Sequence, residues 1–142
     1  MSQTFENHAR YYPWHHFVVQ PILLINIFVE GARLYKYQTL YHVWLVLFAI
    51  GLLILSFTAR SMALRAQNRV IRLEESLRLS RLLPAADQGL IEKLSPGQLI
   101  AMRFASDEEI PDLARKCAAG EFSSSKEIKQ SIRNWRPDYL RV

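Results

Sequence analysis

The sequence predicts an all-α membrane protein: a two-helix transmembrane hairpin with a long emergent second helix and a small helical cytoplasmic tail. The first observation is an uncharged run of twenty residues, 40–59, which is long enough to cross a hydrocarbon core of roughly 30 Å as a helix. The second is a shorter apolar segment before this run. The third is a charged back half in which apolar residues recur at helical spacing.

We divide the 142 residues into three parts. Residues 1–59 contain the N-terminal segment and the hairpin, with helices at about 15–35 and 40–60. Residues 60–83 continue the second helix as a basic amphipathic helix, because no Pro or Gly interrupts the chain between Arg60 and Pro84. Residues 84–142 form the tail, which is near the lower size limit of a domain that folds independently.

The first membrane helix carries polar residues within its apolar body. Aromatic residues at both ends indicate a membrane segment, since rings with a polar edge prefer the headgroup level. Polar groups at membrane depth usually face protein, so we predict intramembrane contacts for Gln20, Asn26 and Glu30. Glu30 could instead pair with Arg33 at the interface, and a proton or ion path is a further alternative.

The placement of positive charge predicts the orientation. Residues 60–83 carry six Arg against two Glu, whereas the short connection between the helices carries only Arg33 and Lys36. Positive residues flank membrane helices on the cytoplasmic side, so both termini should be cytoplasmic. The excess lies beside the membrane exit and favours contact with anionic lipid headgroups. The predicted headgroup contacts are Arg60, Arg65, Arg69 and Arg72.

Apolar residues follow one face of the emergent helix at steps of three and four. This apolar stripe consists of Met62, Ala66, Val70, Leu73 and Leu77. Such a stripe needs a cover in water. Its larger members, Met62, Val70, Leu73 and Leu77, should therefore contact either the protein's own tail or another chain.

The tail reads as a turn or linker at Pro84–Gly89 followed by three short helices. Capping patterns begin at Ser95, Ser106 and Ser124, and Gly120 is suited to end the middle helix. One face of the middle helix should be buried: Ile110, Leu113, Ala114 and Cys117. Ile128, Ile132 and Trp135 should line one face of the last helix.

Several motifs along nearly the whole chain resemble those of a bacterial family of small two-helix membrane proteins of unknown function. They are Asn7-His8-Ala9-Arg10-Tyr11 with Pro13 and His16-Phe17; Gln67-Asn68-Arg69 with Arg72-Leu73-Glu74; Leu94-Ser95 with Gln98; Arg103-Phe104-Ala105-Ser106-Asp107-Glu108-Glu109; and Ile128-Lys129, Ser131-Ile132, Asn134-Trp135, Asp138 and Arg141-Val142. The resemblance implies a hairpin in the bacterial cytoplasmic (inner) membrane with a helical cytoplasmic tail, and it carries over no catalytic residue. Pro111 departs from the pattern, within the first turn of the middle helix.

No constellation of residues predicts catalysis. The chain has no P-loop, G-x-G-x-x-G, H-E-x-x-H or C-x-x-C motif, and its one cysteine, Cys117, falls on an apolar helix face. We therefore expect no enzyme, no cofactor and no metal site. The histidines are His8, His15, His16 and His42. We interpret them as interfacial anchors, because the hairpin separates His42 from the others; contact of His15 or His16 with a cofactor of another subunit is the alternative.

Three functions remain open from the sequence. The first is a non-enzymatic accessory or scaffolding subunit of a larger bacterial membrane protein complex, with other membrane-protein subunits and anionic lipid as partners. The second is a membrane-tethered regulator whose basic tail binds nucleic acid or a soluble partner. Its basis is a predicted basic helix face: Lys126, Lys129, Arg133 and Arg136. Nearby acids weaken the case for nucleic acid. The third is an electron-transfer subunit that holds haem.

Overall fold

The computed structural model describes residues 3–7 and 11–139, and its regular structure there is helical without strands. The predicted all-α fold class is confirmed. The described chain divides into two compact units, residues 11–64 and residues 3–7 together with 65–139. The motif residues His8, Ala9 and Arg10, and Arg141 and Val142 at the other end, lie outside the described residues.

The first apolar helix begins with a π-helical turn, Trp14–Val19, and continues as α1, Gln20–Tyr37. Pro21 accounts for the wide turn. Proline has no N–H to donate, and in an α-helix its ring would collide with the carbonyl of Phe17. The π turn relieves this conflict: the N–H of Gln20 donates to the carbonyl of His15, five residues earlier.

A tight connection joins α1 to the longest helix, α2, Leu40–Leu82. Gln38 ends α1 in the left-handed conformation with φ 51°, and its N–H donates to the carbonyl of Leu34 at 2.9 Å. The first half of α2 runs antiparallel to α1, because Gln20 contacts Ser56 whereas Glu30 lies beside His42. The unbroken helix through residue 82 agrees with the absence of Pro and Gly between Arg60 and Pro84.

The segment after α2 is a 3₁₀ helix, Ala85–Lys93, where the sequence indicated only a turn or linker. The side chain of Gln88 explains why this segment is ordered. Its Nε2 donates to the carbonyls of Ser80 at 3.0 Å and Leu83 at 2.8 Å. These bonds satisfy carbonyls that the last turn of α2 would otherwise leave unpaired.

The helix α3, Pro96–Met102, begins with the predicted capping box. The N–H of Gln98 donates to the hydroxyl of Ser95 at 3.3 Å, and the Gln98 amide oxygen accepts from the N–H of Ser95 at 2.7 Å. The Nε2 of Gln98 also donates to the carbonyl of Cys117 at 3.0 Å. The same residue therefore starts α3 and connects it to the next helix.

The helix α4, Ile110–Ala119, does not begin at the predicted box. The prediction that Ser106 is its N-cap is wrong: Glu109 occupies that position without a side-chain capping bond. The Glu109 carboxylate instead accepts from the N–H of Asn134, at 3.2 and 3.3 Å. Pro111 falls in the first turn, where its missing N–H costs no helix bond. Gly120 ends α4 with φ 78°, as predicted.

The helix α5, Ser125–Ser131, is shorter than predicted. Ser124 caps it by accepting from the N–H of Glu127 at 3.3 Å. Ile132 and Trp135 do not belong to a helix face, so that prediction is wrong. After Ser131 the chain leaves the helix through a bend at Arg133 and Asn134, and an isolated antiparallel bridge joins Trp135 to Ala105.

The core of the second unit lies between the end of α2 and the tail. The predicted buried face of α4 is confirmed. The buried core residues are Leu79, Leu83, Leu94, Leu99, Ala101, Met102, Ala105, Ile110, Leu113, Ala114, Cys117 and Ile128. Apolar side chains from α2, α3, α4 and α5 thus share a single cluster.

Candidate functional site

The exposed part of α2 has one face that packs against the tail. Ile71, Leu79 and Leu83 are buried on this face, and so is the carboxylate-bearing residue Glu75. Residues 71, 75 and 79 are four positions apart, and 82 and 83 follow three and four positions after 79. They therefore lie on one side of the helix. The tail therefore has a defined docking face on α2.

Arg78 makes the polar part of this docking face. Its Nε donates to the Asp107 carboxylate at 2.7 Å, its Nη2 to the carbonyl of Ala105 at 2.8 Å, and its Nη1 to the Glu75 carboxylate at 3.1 Å. Burial raises the pKa of Glu75, and the neighbouring Arg78 offsets only part of this rise. One guanidinium thus connects α2 to the segment between α3 and α4.

The apolar stripe lies on another face of α2 and is uncovered. The exposed fractions of Met62, Val70, Leu73 and Leu77 are between 51% and 65%. The alternative in which the protein's own tail covers the stripe is wrong, because the tail packs on the side of Ile71 and Leu79. At 100° per residue, that side is about 180° from the stripe.

The arginines predicted to contact lipid headgroups are divided between two directions. Arg65, Arg69 and Arg72 are exposed, on the side between the stripe and the tail-packing face, whereas Arg60 is half-buried. Glu74 is exposed on the opposite flank of the stripe from Arg69. The stripe is therefore bordered by a cation on one side and an anion on the other.

The polar residues of the apolar helices form two groups between α1 and α2. Gln20 is buried, and its Nε2 lies 3.1 Å from the Ser56 hydroxyl and 3.2 Å from Nε2 of His15. Glu30 is buried, accepts from Nη1 of Arg33 at 2.8 Å and lies 4.0 Å from Nδ1 of His42. The structure therefore brings Gln20 and Glu30 into contact with α2.

Asn26 is half-buried between these two groups, and no side-chain hydrogen bond of Asn26 is found among residues 3–7 and 11–139. His15 and His16 form an edge contact, with ring centroids 5.0 Å apart, near Phe57 of α2. His42 lies beside Glu30 at the other end of the hairpin. The structure therefore keeps His42 apart from His15 and His16, as the hairpin predicts.

The basic residues near the C-terminus do not form one helix face. Lys126 and Lys129 belong to α5, but Arg133 and Arg136 follow it outside any helix. Arg133 and Arg136 line an open groove of about 520 Å³ together with Asp107 and Glu108. Acidic and basic groups therefore alternate here, which is unlike a field that binds phosphate.

The thiol of Cys117 is buried in the tail core. Burial, with a smaller effect of Glu121, raises the pKa of this thiol to about 11. A thiol becomes nucleophilic as the thiolate, so Cys117 is suited to packing and not to chemistry near neutral pH.

The two ends of the second unit pair with each other, which the sequence does not predict. Gln3 accepts through Oε1 from the N–H of Asp138 at 2.7 Å, and its Nε2 donates to the carbonyl of Asp138 at 3.3 Å. The Asp138 carboxylate accepts from Nε of Arg103 at 2.9 Å. No local pattern signals such a contact, because the two residues are 135 positions apart.

The comparisons with known proteins give one finding about the whole chain. A family model described as "Family of unknown function (DUF6526)" matches residues 1–142. No curated protein matches the chain. No solved structure matches it either.

Proposed function

The chain belongs to a family of unknown function, DUF6526, and we propose that it is a non-enzymatic accessory or scaffolding subunit of a larger bacterial membrane protein complex. The observation that carries this proposal is the uncovered apolar stripe on α2. An apolar side chain contributes about 1.5–3 kcal/mol when it is fully covered, so four adjacent ones provide a strong docking surface. The tail leaves this surface accessible by packing on the opposite side of the helix.

Two features support a place in a membrane. Two helices, Trp14–Tyr37 and Leu40–Leu82, are long and apolar enough to cross one. Most of their large apolar side chains are exposed, among them Ile25, Phe28 and Ile54, so protein does not bury them as it would in a soluble core. Lipid is the cover that suits such a surface.

The proposed location is the bacterial cytoplasmic membrane, with both termini in the cytoplasm. The pairing of Gln3 with Asp138 supports termini on one side, since the N-terminal segment packs in the same unit as the tail. At 1.5 Å per residue, the 43 residues of α2 extend about 64 Å, which is roughly twice a hydrocarbon core. Half of the helix then remains to present the stripe outside lipid.

The partners proposed are other membrane-protein subunits, with anionic lipid beside the arginines of α2. The alternative of a nucleic-acid-binding tail loses its predicted basic helix face, because Arg133 and Arg136 lie outside α5 next to acidic groups. The alternative of a haem-holding subunit loses support at His15, because Nε2 of His15 already contacts the Gln20 amide at 3.2 Å.

The test is native purification of the full chain from membranes in mild detergent. Leu73→Asp and Leu77→Asp each place a charge on the stripe, and both variants should insert normally but lose co-purifying proteins. Asn68→Asp is the matched control, because it introduces the same carboxylate on an exposed position of α2 outside the stripe. Retention of the same complex by all three variants contradicts the proposal.

A further inference from the structure

Residues 66–77 of the apolar stripe have the spacing of a two-stranded coiled coil, whereas Met62 falls outside the a and d positions. Counted in heptads, Val70 and Leu77 occupy a positions, and Ala66 and Leu73 occupy d positions. In parallel coiled coils, a β-branched residue at a with Leu at d, as at Val70 and Leu73, favours two strands over three or four. The stripe thus favours a single partner helix.

The tail is compatible with such a partner. The residues of α2 that are buried or contact the tail occupy the outer positions of the same heptad frame: Ile71 and Arg78 at b, Leu79 at c and Glu75 at f. A second helix on the a and d positions would therefore meet no tail residue of this chain. One helix can hold both contacts because they use opposite sides.

Charge complementarity identifies the chemistry of the partner helix. In a parallel coiled coil, the g residue of one helix faces the e residue of the next heptad on the other helix. Arg69 is at g and Glu74 is the e residue that its counterpart would present. Both are exposed, and neither forms an ion pair within residues 3–7 and 11–139. A second copy of α2 supplies the opposite charge at both flanks.

We propose that the stripe docks a second copy of this chain, as a parallel, in-register pair of α2 helices with reciprocal Arg69–Glu74 ion pairs. This inference rests on the proposed function, because a shared membrane gives both copies the same direction and height. A two-fold axis along the membrane normal makes the contact isologous, so that each copy uses the same surface.

The membrane also accounts for the short length of the contact. Residues 66–77 cover fewer than two heptads, whereas free coiled coils usually need three or four. Two copies anchored in one bilayer lose less translational and rotational entropy on pairing than two free helices do. The reason is that the bilayer already confines them and raises their effective concentration. The contact therefore needs the full chain in a membrane.

The test is oxidative cross-linking of the full chain in its membrane, in a Cys117→Ser background. Val70→Cys, Leu73→Cys and Leu77→Cys should each form disulfide-linked dimers, because facing a and d positions approach within bonding distance. Asn68→Cys and Arg72→Cys are matched controls on exposed positions of the same helix outside the stripe, and they should not form dimers. Equal cross-linking at stripe and control positions would overturn the proposal.

Charge reversal tests the register. With Leu73→Cys as reporter, Arg69→Glu or Glu74→Arg alone should lower the dimer yield by about tenfold, because two symmetry-related attractions become repulsions. The double reversal Arg69→Glu with Glu74→Arg should restore it. If the dimer yield of the double variant is no higher than that of the single variants, the in-register pairing is overturned.

The outcomes separate this inference from the proposed function. If stripe cysteines give no dimer but Leu73→Asp still releases co-purifying proteins, the stripe binds a different protein; the inference fails and the proposed function stands. If the dimer pattern is as expected but no other protein co-purifies with the native chain, the inference stands and the proposed function fails.

Discussion

The guanidinium of Arg78 donates to the Asp107 carboxylate across 2.7 Å and joins α2 to the segment that precedes α4. The same group donates to the carbonyl of Ala105 and to Glu75. Asp107 is largely exposed, whereas Glu75 is buried, so the guanidinium extends from the surface into the tail interface. Together with Leu79 and Leu83 in the apolar core, this contact joins the tail to the side of α2 that faces away from the stripe.

Replacement of Arg78 by Ala should lower the free energy of unfolding of the tail more than replacement of any other arginine of α2. The change leaves a buried carboxylate and a backbone carbonyl without their donor, and we expect a loss of about 2–4 kcal/mol in the free energy of unfolding. The measurement is urea unfolding in detergent, followed by Trp135 fluorescence in a Trp14→Phe, Trp44→Phe chain. Arg81→Ala, on an exposed position, is the control; a similar loss there would argue against the specific role of Arg78.

The stability of the tail should depend on pH through Glu75. Burial raises the pKa of Glu75 above 4.5, so the folded state holds this proton more tightly than the unfolded state. Its contribution is complete at pH values below 4.5 and is lost as pH rises through the raised pKa. Glu75→Gln keeps an acceptor for Arg78 but does not titrate. The free energy of unfolding of the native chain, relative to this variant, should fall as pH rises to neutrality; a constant difference would contradict the assignment.

Cys117 should resist alkylation while the tail is folded. At pH 9 a thiol with a pKa of about 11 is about fiftyfold less ionised than one with a pKa of 9.0, and packing further blocks access. The rate of iodoacetamide modification should therefore rise sharply on unfolding in urea. Lys116→Cys in a Cys117→Ser chain places the thiol one residue away on an exposed position, and it should react rapidly in both states.

The connection between α1 and α2 and the tail should be accessible from opposite sides of the membrane. With Cys117→Ser as background, Gln38→Cys should react with an impermeant maleimide on intact spheroplasts. Lys126→Cys should react only after lysis. Both positions are exposed in the structure, so accessibility to the reagent depends on the membrane alone. Labelling of both sites from the same side would disprove the hairpin orientation.

Arg65 and Arg72 should contribute to lipid attraction independently of any helix pairing. Replacement of each by Gln should weaken binding of a 60–83 peptide to anionic vesicles by about 1 kcal/mol per charge. Vesicles of neutral lipid provide the control. Equal binding to both kinds of vesicle would exclude the headgroup contact.

The features that the sequence predicts correctly depend on interactions between residues that are close along the chain. The continuation of α2 beyond the apolar run follows from the absence of Pro and Gly between Arg60 and Pro84, and the start of α3 follows from Ser95 and Gln98, which bond to each other's backbone. The buried face of α4 follows from its apolar period. In each case the determining interactions lie within a few residues along the chain.

Long-range contacts explain what the sequence could not predict. Ile132 and Trp135 fit a helical period, but the chain there is not helical because its backbone pairs with Phe104 and Ala105. The Trp135 ring also stacks on Phe104, with centroids 4.5 Å apart. Arg78 resembles the other arginines of α2 in sequence, and only the folded tail distinguishes it.

The contact between Gln3 and Asp138 constrains the order in which parts of the chain fold. The two residues are separated by 135 positions, so this hydrogen-bonded pair cannot form until Asp138 has left the ribosome. Closing so long a loop in a disordered chain would cost about 4 kcal/mol, more than two such bonds return. The intervening helices must therefore be in place first. The segment that contains Gln3 is synthesised long before Asp138, yet it reaches its final contacts only after the helices between them have folded.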